Sequence, residues 1–555
     1  MLGLMQDRPL TLPHVFHRAE QFFGHKQLIT ATPAGTVETT TVADWAVRVR
    51  RLATVLDELG VSADGRVGTF CWNTARHLEL YLAVPCTGRV LHTLNLRLFP
   101  DQLVYVTNHA EDEVVVVERS LLGLFWPHVD RLETVRHVVV IDDIGRGHEP
   151  AGGAAPTEIP DDPRIRHYEE LLAAADPHAG RFVVDDENAA AAMCYTSGTT
   201  GNPKGVVYSH RSTLLHSLAT LFADGVGLGE RDVVLPVVPM FHANAWGLPY
   251  GCLLAGSSMV LPGPGMSPDA ILSLMAEHRV TVAAGVPTIW MGLLPRLADY
   301  DLSALRTVLC GGSAVPKVLS EGFRSAIGLP LLQGWGMTET SPVASLGLLR
   351  TVHDDLSTDE QADVRAMQGP AVPLVDLRIA DPESGEEQPW DGVSTGEVQA
   401  AGPWIAAEYH RGEGGGVQFT DDGWLRTGDV AVVDRHGYVK LVDRTKDLIK
   451  SGGEWISSVD LENEIMAHPK VAEAAVIAIA HEKWVERPLA CVVVEPGEQL
   501  TADDLIGFLA DRVAKWWLPE AVEFIDEVPK TSVGKFSKKT LREKFGGYQV
   551  ATPDV

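Results

Sequence analysis

The chain has few cysteines and no pattern among them: Cys71, Cys86, Cys194, Cys252, Cys310 and Cys491 stand far apart, without a CxxC pair. That spacing argues against a thiolate zinc site and a disulfide framework, and it suits a reducing compartment. No uncharged apolar run of about 18 residues occurs, so no membrane-spanning helix is expected. Asp7 and Arg8 stand where an export leader would carry its apolar core. A cytoplasmic location is therefore the expectation. Positive charge is also scarce. Lys and Arg number 46 against 74 Asp and Glu, a net of −28, which disfavours nucleic acid and anionic membranes as partners. Any anionic ligand must be met by local cations.

At 555 residues the chain exceeds one ordinary core, so two or more domains are expected. Short β-branched runs at 114–117, 138–141, 233–238, 280–284 and 307–309 alternate with longer helical patterns, which predicts α/β layers with buried strands. Residues 147–163 read as a surface excursion and 411–416 as a loop tip. Residues 372–397 carry shorter strand-like pieces set off by Pro373, Pro382, Gly385 and Gly392, predicting a smaller β-rich subdomain. After residues 437–446 a second, α+β unit is expected. Its predicted elements are helices at 457–468 and 501–517 and strands at 471–479 and 489–494, with Thr501 and Asp504 forming a capping box.

The segment 195–206, YTSGTTGNPKGV, places hydroxyls, backbone amides and one lysine where a strand runs out into a loop. Gly198 and Gly201 let the backbone approach phosphate oxygens. Thr196, Ser197, Thr199 and Thr200 supply hydroxyls, and Lys204 supplies a compact positive charge. This is the chemistry of polyphosphate binding, although Lys204 is followed by glycine, unlike the lysine of the GxxxxGK[ST] loop. Polar clusters at 239–246, 311–316, 333–340 and 423–429 are expected at strand ends, where open α/β sheets place ligands.

These segments, with DRTKDLIK at 443–450 and PKTSVGK at 529–535, resemble the adenylate-forming superfamily of acyl-CoA synthetases, luciferases and peptide-synthetase adenylation domains. The matches run in family order from about Pro9 to Arg542. HANAWGLPY and IKSGGEWISSVDLE are most similar to medium- and long-chain fatty acyl-CoA synthetases and to methylthioalkanoate-CoA ligases. The resemblance implies an α/β fold with a large multi-subdomain N-terminal domain over 1–443, built of α/β layers and the small β-rich subdomain. A hinge at 444–446 and a small mobile α+β C-terminal domain over 447–555 would follow. The activity implied is AMP-forming: a carboxylic acid and ATP give acyl-AMP and pyrophosphate, and CoA then displaces AMP.

By that resemblance Lys535 is the catalytic lysine of adenylation, Lys204 assists at the phosphates, and His242 lies at the mouth of the acyl pocket. Glu339 and Thr196 would hold Mg2+. Thr338 would bond the α-phosphate, and Trp335 would stack on adenine beside Gly312, Ser313 and Ala314, with Gln333, Gly334 and Gly336 flanking it. Asp429 would accept both ribose hydroxyls, assisted by Arg444. Lys446 marks the hinge and, with Lys450, would reach ATP. Trp246 would be the acyl gate, with Gly311 also lining the acyl pocket, and Ser451, Gly452 and Gly453 would border the CoA channel. Implied partners are thus ATP, CoA and a small carboxylic acid, with a possible homodimer through the N-terminal domain. Alternatives are a ligase for a short methylthio or branched acid, an adenylating enzyme that passes its acyl group to an amine or carrier thiol, and a nucleotide-binding protein without catalysis.

Overall fold

The computed structural model describes residues 1, 3–33, 35–143, 158–196, 202–412, 418–444, 447–451, 454–481, 483–530 and 536–548. Two large sheets dominate. One has seven strands in the spatial order Ile165–His167, His137–Ile141, Asp112–Glu118, Arg66–Phe70, Val90–Thr93, Ala190–Tyr195 and Gly205–Ser209. All its neighbours are parallel except the last pair. The other has eight, ordered Val343–Leu346, Leu331–Gly336, Thr307–Gly311, Val282–Gly285, Val233–Pro236, Ser258–Leu261, Gln27–Ala31 and Val37–Thr41. Only its two edge pairs are antiparallel.

Each β-branched run predicted as a strand contains one, although 233–238 is strand only to Pro236 and 280–284 only from Val282. Apart from the half-buried Val233, the Val and Ile side chains of these runs are buried, as parallel strands covered on both faces require. Between the sheets lies the helix Ala75–Cys86, buried from His77 through Cys86 and touching strands of both sheets. A helix buried on every side has no solvent face to offer, which suits a position between two sheets, and its one buried carboxylate, Glu79, is paired with Arg48 at 2.6 Å.

The β-rich piece is a four-stranded antiparallel sheet of Asp376–Ala380, Thr395–Ala401, Leu425–Val433 and Val439–Arg444. Beyond it, Ile449–Ser451, Glu454–Ile456, Val471–His481, Val485–Val494 and Ala521–Phe524 form a separate small sheet. The helices Ser458–Met466, Ala502–Leu509 and Lys538–Phe545 belong to the same unit; the first two share a core of Ile449, Leu461, Ile465, Val476, Val492 and Leu505, and Leu541 of the third packs with Ala475, Ile477 and Leu489.

One predicted helix is too long. The capping box of Thr501 and Asp504 forms as expected, but the helix stops at Leu509 and only a 3-10 turn, Lys515–Trp517, follows. Arg487 of the adjoining strand explains the stop. Its guanidinium donates to the carbonyls of Trp516 at 2.5 Å and Leu518 at 2.9 Å.

Candidate active site

The segment 195–206 begins and ends in the two strands of a hairpin. Ala190–Tyr195 and Gly205–Ser209 pair antiparallel, and the stem is closed by Thr196 N–H donating to Lys204 O at 2.9 Å. Lys204 N–H donates back to Thr196 Oγ1 at 3.1 Å. Residues 197–201 lie outside the described residues. At the stem, Lys204 Nζ donates to Gln418 Oε1 at 2.7 Å and stands 4.7 Å from the centre of the Tyr409 ring. The Tyr409 hydroxyl in turn donates to Glu339 Oε1 at 2.6 Å. Burial, with the Glu339 carboxylate beside it, pushes the Tyr409 phenol up, so it stays a donor.

Glu339 lies in the 3-10 turn Thr338–Thr340, which follows the strand Leu331–Gly336 and is buried throughout. The turn is fixed by Ala406 N–H, which donates to Glu339 O at 2.8 Å, and by the Tyr208 hydroxyl, which donates to Thr338 O at 2.8 Å. Gly336 must lack a side chain: a Cβ there would stand 1.7 Å from Pro342 O. The side chain of Gln333, in the same strand, is buried, and its Oε1 accepts no hydrogen bond among the described residues.

Asp429 departs from the expected placement. It lies in the middle of the strand Leu425–Val433 rather than at a strand's end, opposite Arg444 and beside an irregularity in pairing between Val430 and Ala431. Its carboxylate is buried, accepts the Trp335 indole N–H at 2.9 Å and pairs with Arg444 Nε at 3.1 Å. The carboxylate raises the Arg444 pKa above the ordinary arginine value.

Trp246 is carried by an unusual backbone. Ala243, Asn244, Ala245 and Trp246 have φ of 42°, 49°, 48° and 59°, and Gly247 follows at 72°. Four non-glycine residues in left-handed conformation cost about 1–2 kcal/mol each, so the surroundings must hold them. Asn244 Oδ1 accepts from the Cys194 thiol at 3.1 Å. Asn73 braces the approach, donating to Pro236 O and Val238 O at 2.9 Å and accepting from Met240 N–H at 2.7 Å. The indole lies near Gly311, whose Cβ, if added, would stand 3.3 Å from Trp246 Cη2. A small cavity between Tyr208, His216, Asn244, Gly247 and Tyr250 adjoins this turn. His242 precedes the turn and is half-buried.

The remaining predicted residues are spread more widely. Gly312, in left-handed conformation, follows the strand Thr307–Gly311, with Ser313 exposed and Ala314 half-buried after it. In the small unit, Lys450 N–H donates to Glu486 at 2.8 Å, and Ser451 Oγ accepts from Arg487 at 3.3 Å. Lys446, Gly452, Gly453 and Lys535 lie outside the described residues. The structure thus joins Lys204 to Glu339 through Tyr409 and Trp335 to Arg444 through Asp429. Tyr409, Gln418, Tyr208 and Asn73 are the contributors that the sequence did not announce. None sits in a motif whose spacing marks it.

Comparison with known proteins follows the same outline. A family model described as "AMP-binding enzyme" matches residues 15–410, and one described as "AMP-binding enzyme C-terminal domain" matches residues 460–535. The chain is 48% identical to a long-chain-fatty-acid–CoA ligase of Thermus thermophilus, over 98% of this chain and 97% of that one. It is 42% identical to a 3-methylmercaptopropionyl-CoA ligase of Ruegeria lacuscaerulensis, over 98% of this chain and 99% of the relative. To a medium-chain-fatty-acid–CoA ligase of Ectopseudomonas oleovorans it is 41% identical, over 98% of each. Among solved structures, ATP-bound MatB from Rhodopseudomonas palustris superposes with a TM-score of 0.80 at 28% identity, covering 97% of this chain and 99% of that one.

Proposed function

The chain belongs to the AMP-binding enzymes, and from that membership we propose how its residues divide the work and which acid it takes. The activity is that of an AMP-forming acid–CoA ligase, with ATP and CoA as substrates. The acid we assign is an aliphatic one of medium to long chain, as in two of the relatives at 41–48% identity. A short methylthio acid is the second reading, carried by the relative at 42% identity. The cytoplasm, where both co-substrates are at hand, is the proposed location.

The observation that carries the division of work is the paired seating of two buried carboxylates, Glu339 on Tyr409 and Asp429 on Arg444 and Trp335. Adenylation brings a carboxylate against a polyphosphate, so repulsion between anions is the barrier to be met. Lys204 and the hairpin backbone would hold the outer phosphates. Glu339, with the Thr196 hydroxyl, would hold Mg2+. One carboxylate and one hydroxyl suit an ion that keeps several waters and takes its other oxygens from substrate phosphates. When bound, the ion would spread the phosphates' negative charge.

Asp429 would release its present donors in part to accept the ribose hydroxyls, an acceptor-only role that suits a carboxylate. The unpaired Gln333 Oε1 would accept from the adenine amino group, which fits a buried acceptor that has no other partner among the described residues. Trp335 would provide the face for the base. Lys535 would bridge the acyl carboxylate and the α-phosphate as charge builds, and the small unit would swing about Lys446 to admit CoA. His242 and Trp246 would line the acyl entrance. His242 needs no role as a base, because the attacking carboxylate is already ionised at neutral pH.

A screen of acids from short methylthio and branched acids to long fatty acids, each with and without CoA, tests the substrate assignment through pyrophosphate release. The expected result is turnover that rises with chain length and yields acyl-CoA. A preference for the short methylthio acid would replace the first reading by the second.

A further inference from the structure

The last two residues of the strand Val439–Arg444 serve opposite sides. Successive side chains of a strand face opposite ways. Arg444 pairs with Asp429 at 3.1 Å on the nucleotide side. On the other side Asp443 accepts from Ser458 N–H at 2.9 Å, at the first turn of the helix Ser458–Met466, and also from the Ser458 hydroxyl. That hydroxyl in turn accepts from the Lys538 ammonium, which also pairs with Glu462 Oε1 at 2.7 Å. Glu462 Oε1 is held by Val476 N–H at 2.7 Å. Asp443 and Glu462 are buried, and the Lys538 side chain is only 13% exposed.

Lys538 opens the helix Lys538–Phe545, just after the segment that contains Lys535. The base of that segment is closed by the bridge between Lys530 and Phe536 and by Ser537 N–H donating to Pro529 O at 2.7 Å. Lys530 is tied to Glu473 at 2.8 Å, and Arg542 pairs with Asp447. An unbroken line of contacts therefore runs from Trp335 and Asp429 through Arg444, Asp443 and Ser458 to Lys538.

We propose that Lys538 is a positioning residue for adenylation: through Ser458 and Asp443 it sets where the chain carrying Lys535 stands relative to Asp429 and Arg444. The proposal rests on the assignment of Lys535 made above. A buried ion pair contributes little more to stability than well-packed apolar side chains would, but its directional bonds fix one arrangement. Here those bonds join the strand that ends at Arg444 to the small unit. Burial alone would pull the ammonium down, yet Glu462 and Asp443 outweigh it and keep the Lys538 pKa above the ordinary lysine value. The group stays a charged donor.

The test compares Lys538→Met, Lys538→Arg and Ser458→Ala with wild type in two half-reactions, ATP–pyrophosphate exchange with a good acid and CoA transfer from supplied acyl-adenylate. Melting temperature is measured alongside. In Lys538→Met, kcat for exchange is expected to fall at least about tenfold, the scale set by small misplacements of a catalytic group. KM for ATP and the CoA half-reaction should stay within about threefold, and Lys538→Arg should restore most of the loss. Ser458→Ala keeps the Lys538–Glu462 pair and should shift exchange in the same direction by less, so it stands in if Lys538→Met does not fold. Wild-type exchange in a folded Lys538→Met or Ser458→Ala, or equal loss in both half-reactions, overturns the inference. Absence of exchange in wild type with every acid would instead sink the proposed function.

Discussion

The Tyr409 hydroxyl donates to Glu339 Oε1 at 2.6 Å while its ring lies 4.7 Å from Lys204 Nζ. One side chain thus touches both the proposed metal carboxylate and the proposed phosphate lysine. Tyr409→Phe keeps the ring under Lys204 and removes only the donor to Glu339. Exchange is expected to slow about tenfold, the worth of one charge-assisted hydrogen bond of about 1.5 kcal/mol, and the magnesium needed for half-maximal rate should rise. A magnesium titration of both proteins checks this, and superimposable curves would contradict it.

Asp429→Asn tests the other pair. The amide still accepts the Trp335 N–H, but the ion pair with Arg444 is gone. KM for ATP should rise about tenfold or more, with KM for CoA little changed. Equal changes in both constants would place Asp429 outside the nucleotide site.

Gly311→Ala reads the contact with Trp246. The new methyl would meet Gly334 O at 2.6 Å and Trp246 Cη2 at 3.3 Å. Overpacking of this kind costs about 1–3 kcal/mol, because backbone on one side cannot yield. Denaturant unfolding should show that loss. A variant as stable as wild type would mean that the strand end has room that the structure does not show.

His216 gives a pH prediction. It is fully buried, and burial lowers its pKa to about 4 from 6.5. Its Nε2 accepts from Val343 N–H at 3.2 Å, a bond that protonation destroys. The unfolded chain takes up a proton below pH 6.5 while the folded chain does not until about pH 4. Stability from this group is therefore whole above 6.5 and lost as pH falls through that window, amounting to about 2 kcal/mol by pH 5. Buried Glu79 and Glu118, whose pKa values burial raises, act in the opposite sense. The difference between wild type and His216→Gln isolates the histidine, since the Gln carbonyl still accepts from Val343. Wild type should lose more stability than the variant from pH 7 to pH 5. Parallel curves would contradict this.

How much was legible follows from where each signal lies. The runs 114–117 and 138–141 announced strands because parallel strands buried on both faces need continuous β-branched residues. The capping box at Thr501 was legible because its partners are three residues apart. The end of that helix was not, because Arg487, which captures the carbonyls beyond it, lies on another strand. Glu339 was singled out by its motif. Tyr409, 70 residues away in sequence, carries no local mark of its role. The left-handed turn at Ala243–Trp246 was hidden for a different reason. Of its four residues only Asn244 has any preference for that conformation, and the supports are distant partners, Cys194 and Asn73.

Oxygen transfer tests the central claim, that the carboxylate itself attacks the α-phosphate. The enzyme would be turned over with ATP, CoA and a fatty acid labelled with 18O in both carboxylate oxygens, and the AMP and pyrophosphate examined by mass spectrometry. The account predicts one labelled oxygen in each AMP and none in pyrophosphate, since the oxygen that joins acyl group to phosphorus leaves with AMP when the thiol attacks the carbonyl carbon. Unlabelled AMP, or label in pyrophosphate, would contradict it.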